Sequence, residues 1–464
     1  MQNSAYLVST VLTILAVSGF GVWASRRVKN SADFSVGSRS FSAPKVACAI
    51  IGTLVGGAST VGTAQAAYVS GVSAMWFVIG ASGGSLLLGL VFAKPLREAE
   101  VTTVTEYIER HFGHRACLAS SVVSSFATYI HTSGQLLSAM AILTALFGIS
   151  NGLAILVSAL LILSYIFLGG FLGSSAIGQA KTFLLFATLL IGGWIVLREM
   201  NGFSGFAVFS FDPWFNLFSG GVAASLAQGF SVALGICASQ TYLQAVFAGR
   251  SIAQSRAGCF LAAAFTLPVG AICTMIGMFM RHAHPDIASS ETLTRFILTY
   301  MSPAAGGIVI GTLIISAVST GAGLILGIGT MLSRDIYKGC IKKDATDREE
   351  LFSLRVCILI LVLACIAMVS LNLDSLILQW AFLSMALRAT VILMPVSVVL
   401  LSRGRIPKRA GLWAIVLAPL AAYLSSLAKA VTLDPLYVGL TASALIFASG
   451  YLIGAVQQKD SIKK

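Results

Sequence analysis

Residues 46–70 read VACAIIGTLVGGASTVGTAQAAYVS, an apolar run with glycines at positions 52, 56, 57 and 62. A bilayer core about 30 Å thick requires roughly 20 apolar residues in a helix, so this run is long enough to cross a membrane. Similar runs recur along the chain and predict an all-α polytopic membrane protein with about 13 transmembrane helices. The predicted spans are residues 5–25, 46–70, 72–93, 116–148, 151–170, 180–197, 217–239, 258–280, 304–331, 354–371, 376–401, 409–428 and 436–456.

The composition also indicates a membrane-embedded chain. Apolar residues make up 57% of the 464 positions, charged residues make up 10%, and the mean hydropathy is +0.90. A typical soluble domain is about one-quarter charged, so this composition excludes an ordinary soluble fold. No long polar linker divides the spans, and residues 1–464 are therefore predicted to form a single membrane domain. The eight cysteines are scattered without a C-x-x-C motif, which favours buried apolar positions over a metal site or disulfides.

The formal net charge of +13 is interpreted as a topology signal. If the N-terminus lies outside, 25 of the 30 Lys and Arg residues, Lys181 among them, fall in cytoplasmic segments. Cytoplasmic loops carry an excess of Lys and Arg. The charges therefore predict a multi-pass protein of a plasma membrane of the bacterial inner-membrane type. Its N-terminus is expected outside and its C-terminus in the cytoplasm, with no nucleic-acid partner.

Two glycine clusters lie in the middle of predicted spans. One is in residues 46–70, and the other comprises Gly221, Gly229 and Gly235 in the seventh span. Backbone groups freed by a helix break are costly in hydrocarbon unless they find a partner. In secondary transporters, interrupted helices at corresponding positions of two halves indicate the binding site. The sequence predicts such interruptions near residues 58 and 229.

The polar residues of the spans favour a neutral ion site. No Asp or Glu lies deep in a predicted span, whereas hydroxyls cluster in residues 58–61 and 316–321. Carbonyl and hydroxyl oxygens, together with the negative end of a half helix, suit a small hard cation such as sodium. The alternative is that these hydroxyls only bond back to carbonyls of their own helices.

Five short motifs are spread over nearly the whole chain. The pair Ser319-Thr320 precedes Asp335-Ile336-Tyr337-Lys338 by about fifteen residues. The other segments are Ala32 to Ser40, Gly56 to Ala64 with Tyr68 and Gly71, Thr105 to Arg110 with Phe112-Gly113, and Gln240 with Gln244. In this order the motifs resemble the sodium/solute symporter family, which includes sodium-coupled glucose, proline, pantothenate and sialic acid carriers.

The resemblance implies a leucine-transporter-type fold with a 5+5 inverted repeat. One leading helix would comprise residues 5–25 and two trailing helices residues 409–456, around five-helix repeats at 44–198 and 217–402. It also implies a sodium site built from the carbonyls of Ala58, Val61 and Ser316 and the hydroxyls of Ser319 and Thr320.

The chain departs from the family pattern in two places. Thr60 stands where sodium/proline-type members carry an acidic residue, which implies a weaker ion site. The segment from Gly169 to Lys181 lacks the Thr-Asp pair that is common in the family, which implies a different cytoplasmic gate.

Residues at the middle of the core helices are candidates for binding the cargo. Arg388 lies in the centre of a span, where a charge costs roughly 2.5 to 3.5 kcal/mol. A guanidinium grips carboxylate, phosphate or sulfate through paired hydrogen bonds. The alternative is that Arg388 bonds backbone carbonyls near Ser384 and Pro395. The predicted substrate-binding residues are Gln65, His131, Gln135, Gln228 and Arg388.

The sequence therefore predicts a sodium-coupled secondary active symporter that imports a small organic solute by alternating access, with a carboxylate or other anion as candidate cargo. Its partners would be the solute, sodium as coupling ion and the lipid bilayer, with no other cofactor; no oligomeric state is indicated. The alternatives are a membrane sensor domain with a transporter-like fold, or a symporter coupled to another cation. An enzyme is not predicted, since no H-E-x-x-H, G-x-S-x-G or P-loop motif occurs.

Overall fold

The computed structural model describes residues 2–25, 39–99, 101, 103–373, 375–402, 407–428 and 433–462, which are mostly helical. Side chains at 168–176 and 453–462, within helices, are not described. Part of the sequence prediction lies outside these residues. It comprises residues 32–38 of the family-like segment and the topology-defining residues Arg26, Arg27, Lys29, Arg403, Arg405, Lys429, Lys463 and Lys464.

Among the described residues, eight α-helices lie in the first half of the chain and ten in the second. Short π-helical turns at Ala58–Gly62 and Leu88–Phe92 join some of them, and Gly71–Met75 forms a 3₁₀ turn. The helices are α1 (Gln2–Ser25), α2 (Ala43–Leu54), α3 (Thr63–Ser70), α4 (Trp76–Leu87), α5 (Ala93–Glu98), α6 (Val104–Phe112), α7 (His114–Phe147) and α8 (Asn151–Glu199).

Ten helices follow in the second half. Two of them continue into π-helical segments, at Leu332–Ile341 and Ala389–Leu393. The helices are α9 (Val222–Ala238), α10 (Gln240–Ala248), α11 (Ile252–Ala283), α12 (Thr292–Tyr300), α13 (Pro303–Met331), α14 (Asp347–Ser370), α15 (Ile377–Arg388), α16 (Met394–Ser402), α17 (Lys408–Leu427) and α18 (Pro435–Ile462).

Helix starts follow local capping chemistry. The Ser150 hydroxyl accepts from the Leu153 amide at the start of α8, and the Ser251 hydroxyl accepts from the Gln254 amide at the start of α11. At α14 the Thr346 side chain and Glu349 form a reciprocal capping box. These side chains satisfy amides that the first turn of a helix leaves without partners.

Among the described residues, nine helices are long and apolar enough to cross a bilayer, and the bent pair α9 and α10 makes a tenth candidate. This confirms an all-helical, multi-span chain, whereas the count of thirteen stays a prediction. Residues 151–170 and 180–197, predicted as two spans, belong to one helical element, α8. Both of its halves contact α13, because Ile162 lies against Gly321 and Lys181 bonds Thr320.

The helices divide into a buried centre and an apolar periphery. In the most apolar part of α13, 89% of residues are buried, whereas the corresponding figure for α14 is 28%. The outer helix exposes large apolar side chains such as Leu359, Ile360 and Leu363. Lipid tails cover such surfaces without cost. A functional site is therefore expected around the buried helix α13 rather than on the outer helices.

Candidate functional site

The predicted break in the second span lies at Val55–Gly57, between α2 and the π-helical turn at Ala58–Gly62. A Cβ added to Gly56 would come 2.6 Å from Thr320 Oγ1 and 2.7 Å from Gln135 Oε1. The glycine thus allows the unwound backbone to lie directly against α13 and α7. The sequence prediction of an interruption near residue 58 is confirmed.

Side chains from other helices satisfy the backbone groups of this break. Gln135 Oε1 accepts from the Gly57 amide at 2.8 Å, and the Ser316 hydroxyl donates to the Val55 carbonyl at 2.8 Å. The Thr60 hydroxyl donates to the Gly56 carbonyl at 2.8 Å. Gln135, predicted to contact substrate, is therefore used as a cap for the broken helix.

The second interruption is not where the sequence placed it. Gly229 lies inside the continuous helix α9, and a Cβ there would come 2.6 Å from the Trp76 ring. The chain breaks ten residues later, at Ser239, where α9 and α10 meet at 50°. The prediction near residue 229 was wrong because glycine in a membrane helix serves close packing as well as breaks.

The predicted ion ligands of α13 lie beside the first break and are all buried. The Thr320 hydroxyl donates to the Gly52 carbonyl at 3.4 Å, and the Ser319 hydroxyl donates to the Ser316 carbonyl at 3.4 Å. Ala58 and Val61 lie in the π-helical turn, and the Ala58 carbonyl accepts from the Thr63 hydroxyl at 3.3 Å. The structure thus places all five predicted residues on the two elements that face each other here.

Lys181 of α8 reaches the same oxygens. Its Nζ lies 3.2 Å from the Ser316 carbonyl oxygen and 3.0 Å from Thr320 Oγ1, and the side chain is 1% exposed. Lys181 was counted among the cytoplasmic residues, whereas the structure buries its side chain inside the candidate span Ile177–Glu199 of α8. Within the described part of the chain, no carboxylate forms an ion pair with it.

A cation at these oxygens would be repelled by a protonated Lys181. Two unit charges about 4 Å apart repel each other by about 4 kcal/mol at an effective dielectric constant of about 20. Among the described residues, the hydrogen-bond partners of Lys181 are a carbonyl and a hydroxyl, and no acidic side chain offsets that repulsion.

Arg388 is fully buried at the second break. Its Nη1 donates to the Ser239 hydroxyl at 2.6 Å, its Nε donates to the Ser384 carbonyl at 3.3 Å, and its Nη2 lies 3.0 Å from His131 Nδ1. A guanidinium only donates, so His131 Nδ1 accepts and the ring is neutral with its proton on Nε2. Within the described residues Arg388 has no carboxylate partner.

A cavity of about 750 Å³ is lined by Ile130 of α7 and Ala386 of α15, the helices that carry His131 and Arg388, but those two side chains are not part of its wall. Gln228 borders this cavity and a smaller one of about 340 Å³. The Gln65 Oε1 accepts from the Ile377 amide at 3.4 Å. The structure thus brings His131 and Arg388 into contact and places Gln228 at the wall of two cavities, whereas Gln65 and Gln135 bind backbone amides.

Sequence reasoning missed Ser239 and Lys181 as members of the two sites. Ser239 could have been found from its place between the apolar seventh span and the family-like Gln240, because small polar residues favour helix ends. Lys181 carried a weaker signal, the absent Thr-Asp pair just before it.

Two family-like motifs meet just beyond the C-terminal end of α13. The Thr105 hydroxyl donates to Asp335 Oδ2 at 2.6 Å, and the Ser121 hydroxyl donates to the same oxygen. Asp335, Glu109 and Lys338 line a charged cavity of about 440 Å³ at this end. The motifs therefore join α6 and α7 to the π-helical segment that follows α13. None of these residues belongs to either helix break.

The model of the sodium:solute symporter family matches residues 34–418 of this chain. The human High affinity choline transporter 1 is 24% identical over 380 residues, which cover 76% of this chain and 66% of that protein. The High-affinity proline transporter PutP of Bacillus subtilis is 23% identical over 356 residues, 73% of this chain and 75% of that protein. The chain therefore spans just under two thirds of the human relative's length.

Solved structures share the fold. A Na⁺-coupled sialic acid symporter in a substrate-bound outward-open state matches with a TM-score of 0.81 and 17% identity, over 97% of both chains. Mhp1, a transporter of the nucleobase-cation-symport-1 family in a closed conformation, matches with a TM-score of 0.63 and 13% identity, over 92% of this chain and 96% of its own. At these identities the likeness concerns the fold.

Proposed function

Because this chain belongs to the sodium:solute symporter family, whose members are transporters and not enzymes, we propose that it imports a small organic solute together with sodium. The fold shared with two cation-coupled transporters supports this proposal. The two helix breaks support it as well, because broken helices at bilayer depth are tolerated where they bind cargo or line a cavity.

Sodium would bind between the first break and α13. The candidate ligands are the carbonyls of Ala58, Val61 and Ser316 and the hydroxyls of Ser319 and Thr320. Three of them, Ser316, Ser319 and Thr320, lie on one face of α13 and within hydrogen-bond distance of one another or of the broken segment. Neutral oxygens of this kind hold a monovalent cation, which would pin the broken helix against α13.

The observation that carries the cargo proposal is the buried Arg388 guanidinium, whose described partners are all neutral. It lies at the second break, on the helix whose Ala386 lines the cavity of about 750 Å³. A buried charge without a counter-ion is costly. A carboxylate, phosphate or sulfate on the solute would supply that counter-ion, and we therefore propose an anionic cargo.

The charge of the cargo determines how much free energy each sodium ion can supply for its uptake. One charge moving inward across 100 mV contributes about 2.3 kcal/mol, and a tenfold sodium gradient adds about 1.4 kcal/mol. A monoanion carried with one sodium ion moves no net charge and keeps only the second contribution, about 1.4 kcal/mol. An anionic cargo thus favours either two sodium ions per cycle or weak accumulation.

The proposal includes an arrangement in the membrane. Helix α1 would lead, residues 44–198 and 217–402 would form two inverted five-helix repeats, and residues 409–456 would trail. The protein would lie in the plasma membrane with its N-terminus outside and its C-terminus in the cytoplasm. The breaks at 55–57 and 239 support the repeats, because each falls in an early span of its half.

Uptake by proteoliposomes tests the function. Purified protein is reconstituted with a sodium gradient directed inward, and uptake is measured for a panel of radiolabelled carboxylates, phosphates and uncharged solutes. We expect accumulation of an anionic solute that disappears when potassium replaces sodium. Ser319→Ala with Thr320→Ala should raise the sodium concentration for half-maximal uptake at least tenfold, about 1.4 kcal/mol.

Two results would contradict the proposal. Equal uptake in sodium and potassium would show that uptake is not coupled to sodium. Binding of a solute without any accumulation under a sodium gradient would favour a sensor over a transporter.

A further inference from the structure

Lys181 shares its binding partners with the proposed sodium ion. The ammonium lies 3.2 Å from the Ser316 carbonyl and 3.0 Å from the Thr320 hydroxyl, and both groups belong to the proposed ion site. An ammonium is a compact, strongly hydrated unit charge with three donors. The ammonium therefore binds the same kind of ligand that sodium binds, namely neutral oxygens that replace water.

A close helix contact brings the lysine to this position. A Cβ added to Gly52 would come 2.8 Å from the Gly178 Cα, so α2 and α8 touch through their backbones. Lys181 follows less than one turn after Gly178, and Gly52 also provides the carbonyl that accepts from Thr320. The long side chain thus runs from this contact to the face of α13 that carries the ion ligands.

A tethered charge is an effective competitor. Because Lys181 belongs to the same chain, its local concentration at the site is set by the geometry of the fold rather than by the solution. Sodium in solution has to displace it, since two positive charges cannot share two oxygens in a buried setting without a carboxylate.

We propose that Lys181 is a built-in competitor of the coupling ion, so that sodium enters this site only when the Lys181 side chain withdraws from Ser316 and Thr320. The site then alternates between a lysine-filled and a sodium-filled state. With the lysine in place, the Ser316 carbonyl and the Thr320 hydroxyl each have a donor without any ion. This inference rests on the proposed sodium coupling and adds a concentration threshold to it.

Sodium titration of thermal stability tests the competition. The melting temperature is measured against sodium at constant ionic strength, with potassium as the replacing ion, for the wild type, Lys181→Gln and Lys181→Arg. Lys181→Gln keeps length and hydrogen bonding but removes the charge, whereas Lys181→Arg keeps the charge. Lys45→Gln is the matched control, because it removes an exposed lysine at the start of α2.

We expect Lys181→Gln to melt below the wild type in potassium and to regain stability in sodium. Its half-maximal response should require sodium at least about tenfold lower than the wild type requires. Lys181→Arg should respond no better than the wild type, and Lys45→Gln should match it. The sodium-specific rescue separates competition from a general folding defect, which sodium would not repair.

The failures are distinguishable. If the wild type shows sodium-driven uptake but Lys181→Gln has the same sodium midpoint, the competition is overturned and the proposed function stands. If Lys181→Gln loses its sodium response while the wild type keeps one, Lys181 supports ion binding and the competition is again overturned. If no variant responds to sodium in melting or uptake, both the sodium coupling and the competition fail.

Discussion

A buried basic side chain lies near each of the two broken helices, but the two settings differ. Beside the first break, Lys181 donates to the Ser316 carbonyl and the Thr320 hydroxyl of α13, both in the proposed ion site. At the second break, Arg388 bonds Ser239, Ser384 and His131. The recorded bonds of Lys181 join it to one helix, whereas those of Arg388 join α7, α15 and the break itself.

Two equally buried basic side chains need not have the same role. A compact ammonium fits a point site and competes with a small ion, whereas a planar guanidinium presents several donors to a polyatomic anion. The His131 ring, which accepts from Arg388, leaves its Nε2 proton as a further donor. We therefore assign the ion function to the first break and the solute function to the second.

Replacing Arg388 is expected to have the largest effect. Truncating one partner of a buried hydrogen-bonded charge pair costs about 2 to 5 kcal/mol, so Arg388→Gln should lower the kcat/KM of anion uptake roughly 30-fold or more. Arg388→Lys keeps the charge without the planar fork and should fall between. Uptake kinetics in proteoliposomes provide the measurement, with the anion that gives the largest uptake in the solute panel.

The control for this variant is Arg256→Gln, which removes another guanidinium, one that donates to the Gly89 carbonyl at 3.0 Å. It should retain uptake. Unchanged uptake in Arg388→Gln would show that Arg388 only bonds carbonyls and hydroxyls of the protein. The two breaks would then not differ in function as proposed.

A smaller effect, on stability, is expected from Gln135→Leu at the first break. The leucine leaves the buried Gly57 amide without its acceptor, and an unsatisfied buried group costs about 1 to 3 kcal/mol. Gln228→Leu, at the cavity wall, removes no recorded backbone partner and should change stability by less than about 0.5 kcal/mol. Thermal melting in detergent compares the two. Equal melting temperatures would show that Gln135 is not the cap of the broken helix.

The fold class could be predicted from sequence because it depends on local properties. Apolar runs and small residues mark membrane helices wherever they pack. The first break was also predictable, since Gly56 and Gly57 stand together in one span. The second was not, because Gly229 looks the same in sequence whether it breaks a helix or, as here, packs against Trp76.

The candidate sites were harder to predict than the fold class, because they depend on contacts between residues that are far apart in the sequence. Arg388 was identifiable because a charge in mid-span is costly, but its partners Ser239 and His131 come from two other helices. Lys181 was placed in a loop because basic residues usually mark the cytoplasmic side. Its actual partners lie more than 130 positions later, in α13, so no local pattern could indicate them.

The smallest expected effect concerns the contact that brings Lys181 to the first break. Gly52→Ala places a Cβ 2.8 Å from the Gly178 Cα, so α2 and α8 must separate slightly. Overpacking of this kind costs about 1 kcal/mol or somewhat more. Gly83→Ala is the matched control, because a Cβ there has no neighbour within 4 Å, and alanine in an open helical position stabilises by up to about 1 kcal/mol. Opposite shifts in melting temperature are therefore expected for the two variants. A shift of the same sign and size in both would mean that α2 and α8 do not approach each other as closely as the Gly52–Gly178 contact requires.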